Sequence, residues 1–583
     1  MENKWFLSKI RDEFKGGKIN VEKTYRLLEK LDIPCNYIHV KSVFKDNDRL
    51  KQGRITIEEF RSIYRIIAHR EEIIEIFNTY SGNQKFLFEK NLLQFLIQEQ
   101  YALDMTTNIA FEIIQKYEPI EEVKRAHQMS FEGFIRYMGS PECQILKTDC
   151  GKVYQDMNHP LNDYFISSSH NTYLVSDQLL GPSDLWGYVS ALVKGCRCLE
   201  IDCWDGSRNE PVVYHGYTLT SKLLFKTVIQ SIQKYAFIAL KFKILVRNKK
   251  IGSLRETRER KGSDKHGQVE EYEEIDQDVD DEVKESKALA ILEDDSQKEP
   301  GAIIAAGLPL FRRRRVKVAM ALSDLVIYTK AEKFISFQHS RLYQQFNESN
   351  SIGESEARKL SKLKGHEFIL HTSKFITRIY PKATRADSSN FNPQDFWNIG
   401  CQMVALNFQT PGLPMDLQNG KFLDNGCSGY ILKPHFLRDI KTEFNPNETP
   451  KDIDPVTLTI RLISGIQLPP SNHSSSNKAD TVVVLEIFGV PNDHVKRQTR
   501  VIKRNAFCPR WNETFTFIIQ VPELALIRFV VENQSLITGN EFLGQYTLPV
   551  LCMNKGYRRV PLFSKMGESL EPAALFIYVW YVR

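Results

Sequence analysis

The chain has 583 residues, 42% of them apolar and 26% charged, a composition that fits several folded domains and excludes a disordered tail, a collagen-like rod or a disulfide scaffold. A net charge of +6 is too small for this length to point to nucleic acid as a partner, and no run of about eighteen apolar residues is present to span a bilayer. The N-terminus lacks an apolar signal core and the ten cysteines include no C-x-x-C pair, so the expectation is a cytoplasmic chain with reduced thiols.

Residues 1–155 read as amphipathic helices at 21–31, 57–68, 71–79, 90–98 and 107–117 joined by polar turns, an EF-hand-like array. The best loop runs from Asp46 to Glu59. With Asp48 in first place, Gly53, Ile55 and Glu59 fall sixth, eighth and twelfth, as a calcium loop requires. Leu50 and Gln52 then occupy the third and fifth places, where oxygen ligands belong. Asp46, Asp48 and Glu59 are therefore weak calcium candidates, and a helix pair kept for packing is the alternative. The loops at 16–17 and 81–82 read as packing only.

The run 163–221 carries three polar-tipped segments: Phe165 to Tyr173 with His170 and Asn171, Leu199 to Gly206 with Glu200 and Asp202, and Tyr214 to Tyr217 with His215. Glu200 and Asp202 are two apart, so on a strand both side chains share a face. A helix is expected over 223–238. Each histidine taken alone is more often structural than catalytic. Two imidazoles, an amide and two carboxylates at the ends of successive strand-like segments instead form the set that calcium-assisted phosphoryl transfer requires.

Residues 251–312 change character. Positions 255–265 are basic, nine of the thirteen residues from Glu270 to Glu282 are acidic, and Arg312 to Arg315 with Lys317 close the stretch. So few apolar side chains cannot offset ordering entropy, and disorder is expected up to about residue 300. The arginine run reads as an anchor on anionic lipid headgroups, as a nuclear-import signal, or as a solvated face before a strand at 318–328. From about 455 onward, β-branched and aromatic runs at 456–463, 481–488, 514–519, 525–531 and 574–581 imply an all-β sandwich.

The His-Asn-Thr-Tyr, Leu-Glu-Ile-Asp-Cys-Trp-Asp-Gly and Tyr-His-Gly-Tyr-Thr segments resemble the X half of the catalytic barrel of phosphoinositide-specific phospholipase C. Arg378 to Pro381, Gly400 to Gly412 and Gly429 to Pro434 resemble its Y half. The resemblance implies a multidomain fold: an α-helical EF-hand array (1–155), a TIM-type α/β barrel split into X (156–250) and Y (313–440) halves around the charged linker (251–312), and a C-terminal all-β C2 domain (455–583). It opens on EF-hand-like helices without room for a pleckstrin-homology domain, which implies the family's sperm-type branch and a role in egg activation.

The implied activity is calcium-dependent cleavage of phosphatidylinositol 4,5-bisphosphate. Asn171, Glu200 and Asp202 would ligate Ca2+, Glu200 would act as base, and His170 and His215 would serve the phosphoryl and leaving oxygens. Arg247, Lys249, Ser351, Arg378 and Tyr380 would hold the headgroup, with Arg247 standing where the family has lysine. The segment 505–515 is similar to a C2 calcium-side loop, but Asp480 and the Glu532 to Ser535 run supply too few charged oxygens, so the C2 module is expected to contact lipid or protein without calcium. The expected partner is a phosphoinositide membrane surface, met peripherally by a monomer through the linker and the C2 domain.

One departure stands out. After residue 238 the family continues with a fourth barrel strand, a helix and a further calcium-ligating glutamate, whereas here Ala239-Leu240 runs directly into Lys241-Phe242-Lys243. Several dozen residues are absent by this reading. Strand number is tied to tilt and shear in a barrel, so the loss predicts an opened or re-registered sheet and an impaired or inactive enzyme, unless a strand at 241–246 slides into the vacant place.

Overall fold

Two units organise the chain, 1–152 with 451–583 and 153–450; the computed structural model describes residues 2–236, 244–250, 257, 269–274, 314–471, 479–535 and 539–583. In the first unit, helix Ile57–Ala68 starts on a capping box. Thr56 accepts from the Glu59 N–H while the Glu59 carboxylate accepts from the Thr56 N–H. Its apolar positions Phe60, Ile63, Tyr64 and Ile67 recur at helical spacing and are buried. The loops of the first helix pairs meet through an antiparallel bridge between Ile19 and Ile55, and the next two through Leu87–Phe88 and Gln128–Met129. Helices Val21–Lys30, Glu71–Ser81, Glu89–Gln98 and Thr107–Tyr117 match the sequence expectation within about two residues at each end.

The C-terminal residues form one eight-stranded antiparallel array, including Val456–Ile466, Thr481–Phe488, Arg510–Ile519, Leu526–Asn533 and Ser569–Val582. Its first and last strands pack on the helices of the same unit: Ile463 and Phe576 share a core with Ile73, Phe77 and Phe95. Buried Glu72 joins the two sequence-distant segments, accepting from Ser464, Arg70 and Arg510. The Arg70 guanidinium lies 4.7 Å from the Phe576 ring centroid.

In the second unit, strands Lys330–Lys333, Glu348–Gly353, Thr377–Tyr380, Met403–Leu406 and Tyr164–Ser169 lie side by side and parallel, with Tyr430–Leu432 antiparallel at the far edge. The Y-half strands thus pair directly with the first X-half strand. Cys198 bridges Ser168 in parallel, and Asn248 bridges Lys330. Cys203–Trp204, Val212–Val213 and Leu223–Leu224 form a separate antiparallel sheet, and among the described residues no strand pairing joins it to the six-stranded one.

Several local expectations are corrected. Glu200 and Asp202 lie just before strand Cys203–Trp204, not within it, so their convergence does not come from strand alternation. The strand expected at 318–328 is strand Arg314–Ala319 followed by helix Met320–Leu325, because the alternation of Val316 and Val318 with charged residues ends at Met320. Residues 241–243 lie outside the described residues and 244–247 form no strand. Of the linker expected to be disordered, most lies outside the described residues, as do Arg312 and Arg313. Val269–Glu274, however, is a strand antiparallel to Arg314–Ala319. Its register pairs Val269 with Ala319 and Glu274 with Arg314.

His371, on helix Gly365–Thr372, is buried among Phe334, Phe337 and Phe375 with neither ring nitrogen hydrogen-bonded. Burial pushes its imidazole down to about 3. The folded ring stays neutral while the unfolded one protonates near its ordinary value, so stability is lost as pH falls below about 6.5 and the loss levels off near 3. Replacing His371→Leu is expected to remove about 2 kcal/mol of the stability drop between pH 7 and pH 5, read by urea unfolding at both pH values. An unchanged drop would contradict the burial argument.

Candidate active site

Strand Tyr164–Ser169 ends directly in His170 and Asn171, and strand Met403–Leu406 ends in Asn407. The chemistry therefore gathers at the carboxyl ends of parallel strands, where backbone groups leave the ladder and side chains can converge. His170 Nδ1 is 3.0 Å from Asn407 Oδ1. Asn171, held at a positive φ of 39°, donates its backbone N–H to Glu200 Oε2 at 2.8 Å. The same carboxylate oxygen accepts from the Arg378 guanidinium at 2.7 Å. His215 Nδ1 lies 2.7 Å from the Gln178 carbonyl, and the Tyr173 hydroxyl donates to Asp202.

The electrostatics follow from burial and proximity. Burial would raise Glu200, but Arg378 and then His170 outweigh it and hold this carboxyl below its ordinary range. Asp202 is pushed up to about 7 by burial and by the charge of Glu200. Burial pushes His170 down to about 4, against the pull of Glu200. A partly buried pair of carboxylates, with one arginine bonded to Glu200, is short of positive charge. That donor set, with the Asn171 amide beside it, fits a hard divalent cation, which would keep both carboxylates ionised.

Arg247 donates from Nε to Ser349 at 2.9 Å and from Nη2 to Ser351 at 2.8 Å, so the headgroup candidates Arg247 and Ser351 meet. Burial, with help from Arg378, pushes Arg247 down to about 10. Arg378 stands over the Tyr380 ring at 5.6 Å. Lys249 is exposed, and its backbone N–H bonds the Asn248 side chain. Lys249 was placed with Arg247 by the family resemblance, and this segment forms no strand.

The EF-hand candidates are used by the fold. Asp48 accepts the N–H groups of Gln52 and Gly53, Glu59 closes the capping box, and Asp46 sits on helix Tyr37–Asn47. In the C2 domain, Asp480 accepts the Arg504 N–H and Glu532 accepts from Asn540, so both are engaged by loop groups. Sequence reasoning missed Asn407, Ser349 and Gln178. Asn407 could have been found as the first polar residue after the apolar run 403–406; Gln178 carries no such signal.

Four family models match in order: phosphoinositide-specific phospholipase C, efhand-like, over 63–148; the X domain of phosphatidylinositol-specific phospholipase C over 157–259; its Y domain over 322–436; and a C2 domain over 456–563. The chain belongs to the phosphoinositide-specific phospholipase C family. It is 72% identical to a 1-phosphatidylinositol 4,5-bisphosphate phosphodiesterase zeta-1 of Sus scrofa and 70% identical to that of Homo sapiens, in each case over 100% of both chains. The crystal structure of L. pealei PLC21 is similar at a TM-score of 0.73 and 28% identity, over 98% of this chain and 76% of that one.

The phospholipase C fold assigned from sequence, with EF-hand-like, X, Y and C2 parts, is the one found. The Sus scrofa alignment spans 637 positions against a chain of 583, so about 54 have no counterpart here, a gap of the size inferred after residue 238. EF-hand-like, C2 and X/Y domains are of a calcium-associated kind, and the C2 domain suits contact with lipid membranes. Among the described residues no helix is long and apolar enough to cross a membrane.

Proposed function

We propose that this phospholipase C hydrolyses phosphatidylinositol 4,5-bisphosphate to inositol 1,4,5-trisphosphate and diacylglycerol in a calcium-dependent reaction at the cytoplasmic membrane surface, and that its shortened X half makes it slow. The observation that carries the chemistry is the convergence of His170, His215, Asn171, Glu200 and Asp202 beside Arg247 and Arg378. Asn171, Glu200 and Asp202 would hold calcium. When bound, the ion lowers the pKa of the inositol 2-hydroxyl and offsets phosphate charge.

Glu200, kept ionised by Arg378, is placed to take the 2-hydroxyl proton. The oxygen attacks the 1-phosphate, the bond to glycerol breaks, and a cyclic phosphate forms. His215, its Nδ1 tied to the Gln178 carbonyl, delivers a proton from Nε2 to the leaving glycerol oxygen, then takes one from the water that opens the ring. His170, its Nδ1 held by Asn407, is neutral in the free site and would donate from Nε2 to a phosphoryl oxygen once the charge of the bound phosphate offsets burial and protonates the ring. Arg378 and Arg247 suit ring phosphates and Tyr380 suits the inositol face, with Ser351 holding Arg247 and Lys249 adding positive charge at the rim. Contact with anionic lipid falls to the linker arginines and the C2 domain. The resemblance to the sperm-type branch supports a role in the calcium oscillations of egg activation.

The test is inositol phosphate release from phosphatidylinositol 4,5-bisphosphate vesicles across calcium concentration, with the Sus scrofa relative in parallel. Release is expected to be about a hundredfold or more below that relative, and to vanish in His170→Ala. Release unchanged in His170→Ala would overturn the catalytic reading, and release equal to the relative's would overturn the impairment.

A further inference from the structure

Gln178 is 6% exposed and hydrogen-bonded through every polar atom it carries, yet it sits on no regular element and bears no charge. Its backbone carbonyl lies 2.7 Å from His215 Nδ1, and its backbone N–H donates to the Ala386 carbonyl. Its side-chain oxygen accepts from Asn171 Nδ2 at 2.7 Å. Its side-chain nitrogen donates to Ser388 Oγ at 2.7 Å and to Asn407 Oδ1 at 3.2 Å, and that same Asn407 oxygen faces His170 Nδ1. One residue thus bonds His215 and the Asn171 amide directly and reaches His170 through its partner Asn407.

The direction of each bond is fixed from outside. Ser388 Oγ donates to the Ser176 carbonyl, which can only accept, so Ser388 must accept from Gln178. The Gln178 amide nitrogen therefore points to Ser388 and Asn407, and its oxygen points to Asn171. Asn407 Oδ1 accepts from Gln178 at 3.2 Å and Asn407 Nδ2 donates to the Ser389 carbonyl at 3.3 Å, and the two bonds together turn Asn407 Oδ1 toward His170. His170 must then carry its proton on Nδ1, as His215 must toward the Gln178 carbonyl. Both rings present Nε2, and Asn171 keeps its oxygen free of Gln178.

We propose that Gln178 is the positioning residue that sets the ring tautomer of both histidines, His215 through its backbone carbonyl and His170 through Asn407, while it orients the Asn171 amide. The inference rests on the catalytic roles proposed for His170 and His215, but its test needs no turnover.

The two routes differ, and the difference makes the test specific. In Gln178→Glu the new carboxylate only accepts, so Asn407 must turn its nitrogen toward it and toward His170. The His170 proton should then move from Nδ1 to Nε2. His215, held by a backbone carbonyl, should keep Nδ1–H. The experiment is nitrogen-15 NMR of the full chain labelled at histidine, at a pH where both rings are neutral, with the two signals assigned through His170→Gln and His215→Gln. The expected result is Nδ1–H at both rings in the parent and a change of tautomer at His170 alone in Gln178→Glu.

Gln178→Met removes all three side-chain bonds and should leave His170 a mixture of tautomers, and adding Asn407→Asp, which can only accept, should restore Nδ1–H. This pair reads the same signal if Gln178→Glu does not fold. His170 unmoved in Gln178→Glu or Gln178→Met, or both rings changing together, would overturn the proposal. A tautomer shift in a chain that releases no inositol phosphate would leave the positioning intact and count against the catalytic reading alone.

Discussion

Inserting after Ala239 the barrel strand and helix that the family resemblance implies there is expected to raise inositol phosphate release by about a hundredfold or more, since a displacement of about 1 Å at a catalytic site costs on that order. The argument starts from the sheet. Among the described residues the row of parallel strands stops at Lys330–Lys333, which meets the preceding chain through the single bridge to Asn248, and the Cys203, Val212 and Leu223 strands pair only with one another. Eight strands in register carry their side chains at fixed angles around a common axis, and a missing strand moves its neighbours by about 4.8 Å.

Apolar side chains on either side of the junction are left without cover. Ile229 and Tyr235 on helix Phe225–Tyr235 are 41% and 43% exposed, and Ile244 and Leu245 are 79% and 49% exposed. A strand and a helix laid over them would bury these groups and supply another carboxylate to a site whose donors are now Asn171, Glu200 and Asp202. Release that stays at the level of the parent chain, from an insertion variant that is folded and monodisperse, would show that the shortened X half is not what limits the rate. No release at all from that variant would count against the family reaction itself.

Where local physics decides, the sequence was readable. Helices Ile57–Ala68 and Thr107–Tyr117 fall where expected because Thr56 and Thr106 cap them and their apolar residues keep helical spacing. Strand Thr481–Phe488 falls where its β-branched run lies. Helix Tyr37–Asn47 was not foreseen: its apolar pattern is weak, and burial of His39, Val40 and Phe44 stabilises it, with His39 Nε2 bonded to the distant Leu468 carbonyl. Strand Glu541–Pro549 was hidden by the glycine and polar residues that it buries.

The candidate site divides along the same line. His170, Asn171, Glu200, Asp202 and His215 were legible as chemistry. Pairing Arg247 with Ser351, or Arg378 with Glu200, depends on sequence-distant segments that meet only in the folded unit. Glu200 and Asp202 show the limit of parity arguments, because residues two apart share a face only where the backbone is a strand, and both precede strand Cys203–Trp204.

The second large effect concerns the Arg378 and Glu200 pair. Arg378→Met is expected to lower the stability of the unit 153–450 by about 3–5 kcal/mol, the cost of leaving a buried charge without its partner. Both groups are largely buried, the contact is 2.7 Å, and Asp202 stands close enough to Glu200 to be raised by it. Removing the guanidinium leaves two carboxylates facing each other, with only the Asn171 N–H and the His170 ring to offset Glu200. The double variant Arg378→Met with Glu200→Gln removes the stranded charge and should recover most of the loss in urea unfolding, while it should release no inositol phosphate because the proposed base and the proposed phosphate ligand are both gone.

Calcium separates a structural ion pair from a cation site. If Asn171, Glu200 and Asp202 form the ligand set, added calcium should restore part of the stability of Arg378→Met, since the ion would supply the charge that the arginine no longer does. It should restore much less in the double variant, where one carboxylate is an amide. Equal calcium stabilisation of the two variants would place the ion elsewhere and remove Glu200 from the ligand set, whereas a selective gain in the single variant would tie the carboxylate pair to the cation proposed for the reaction.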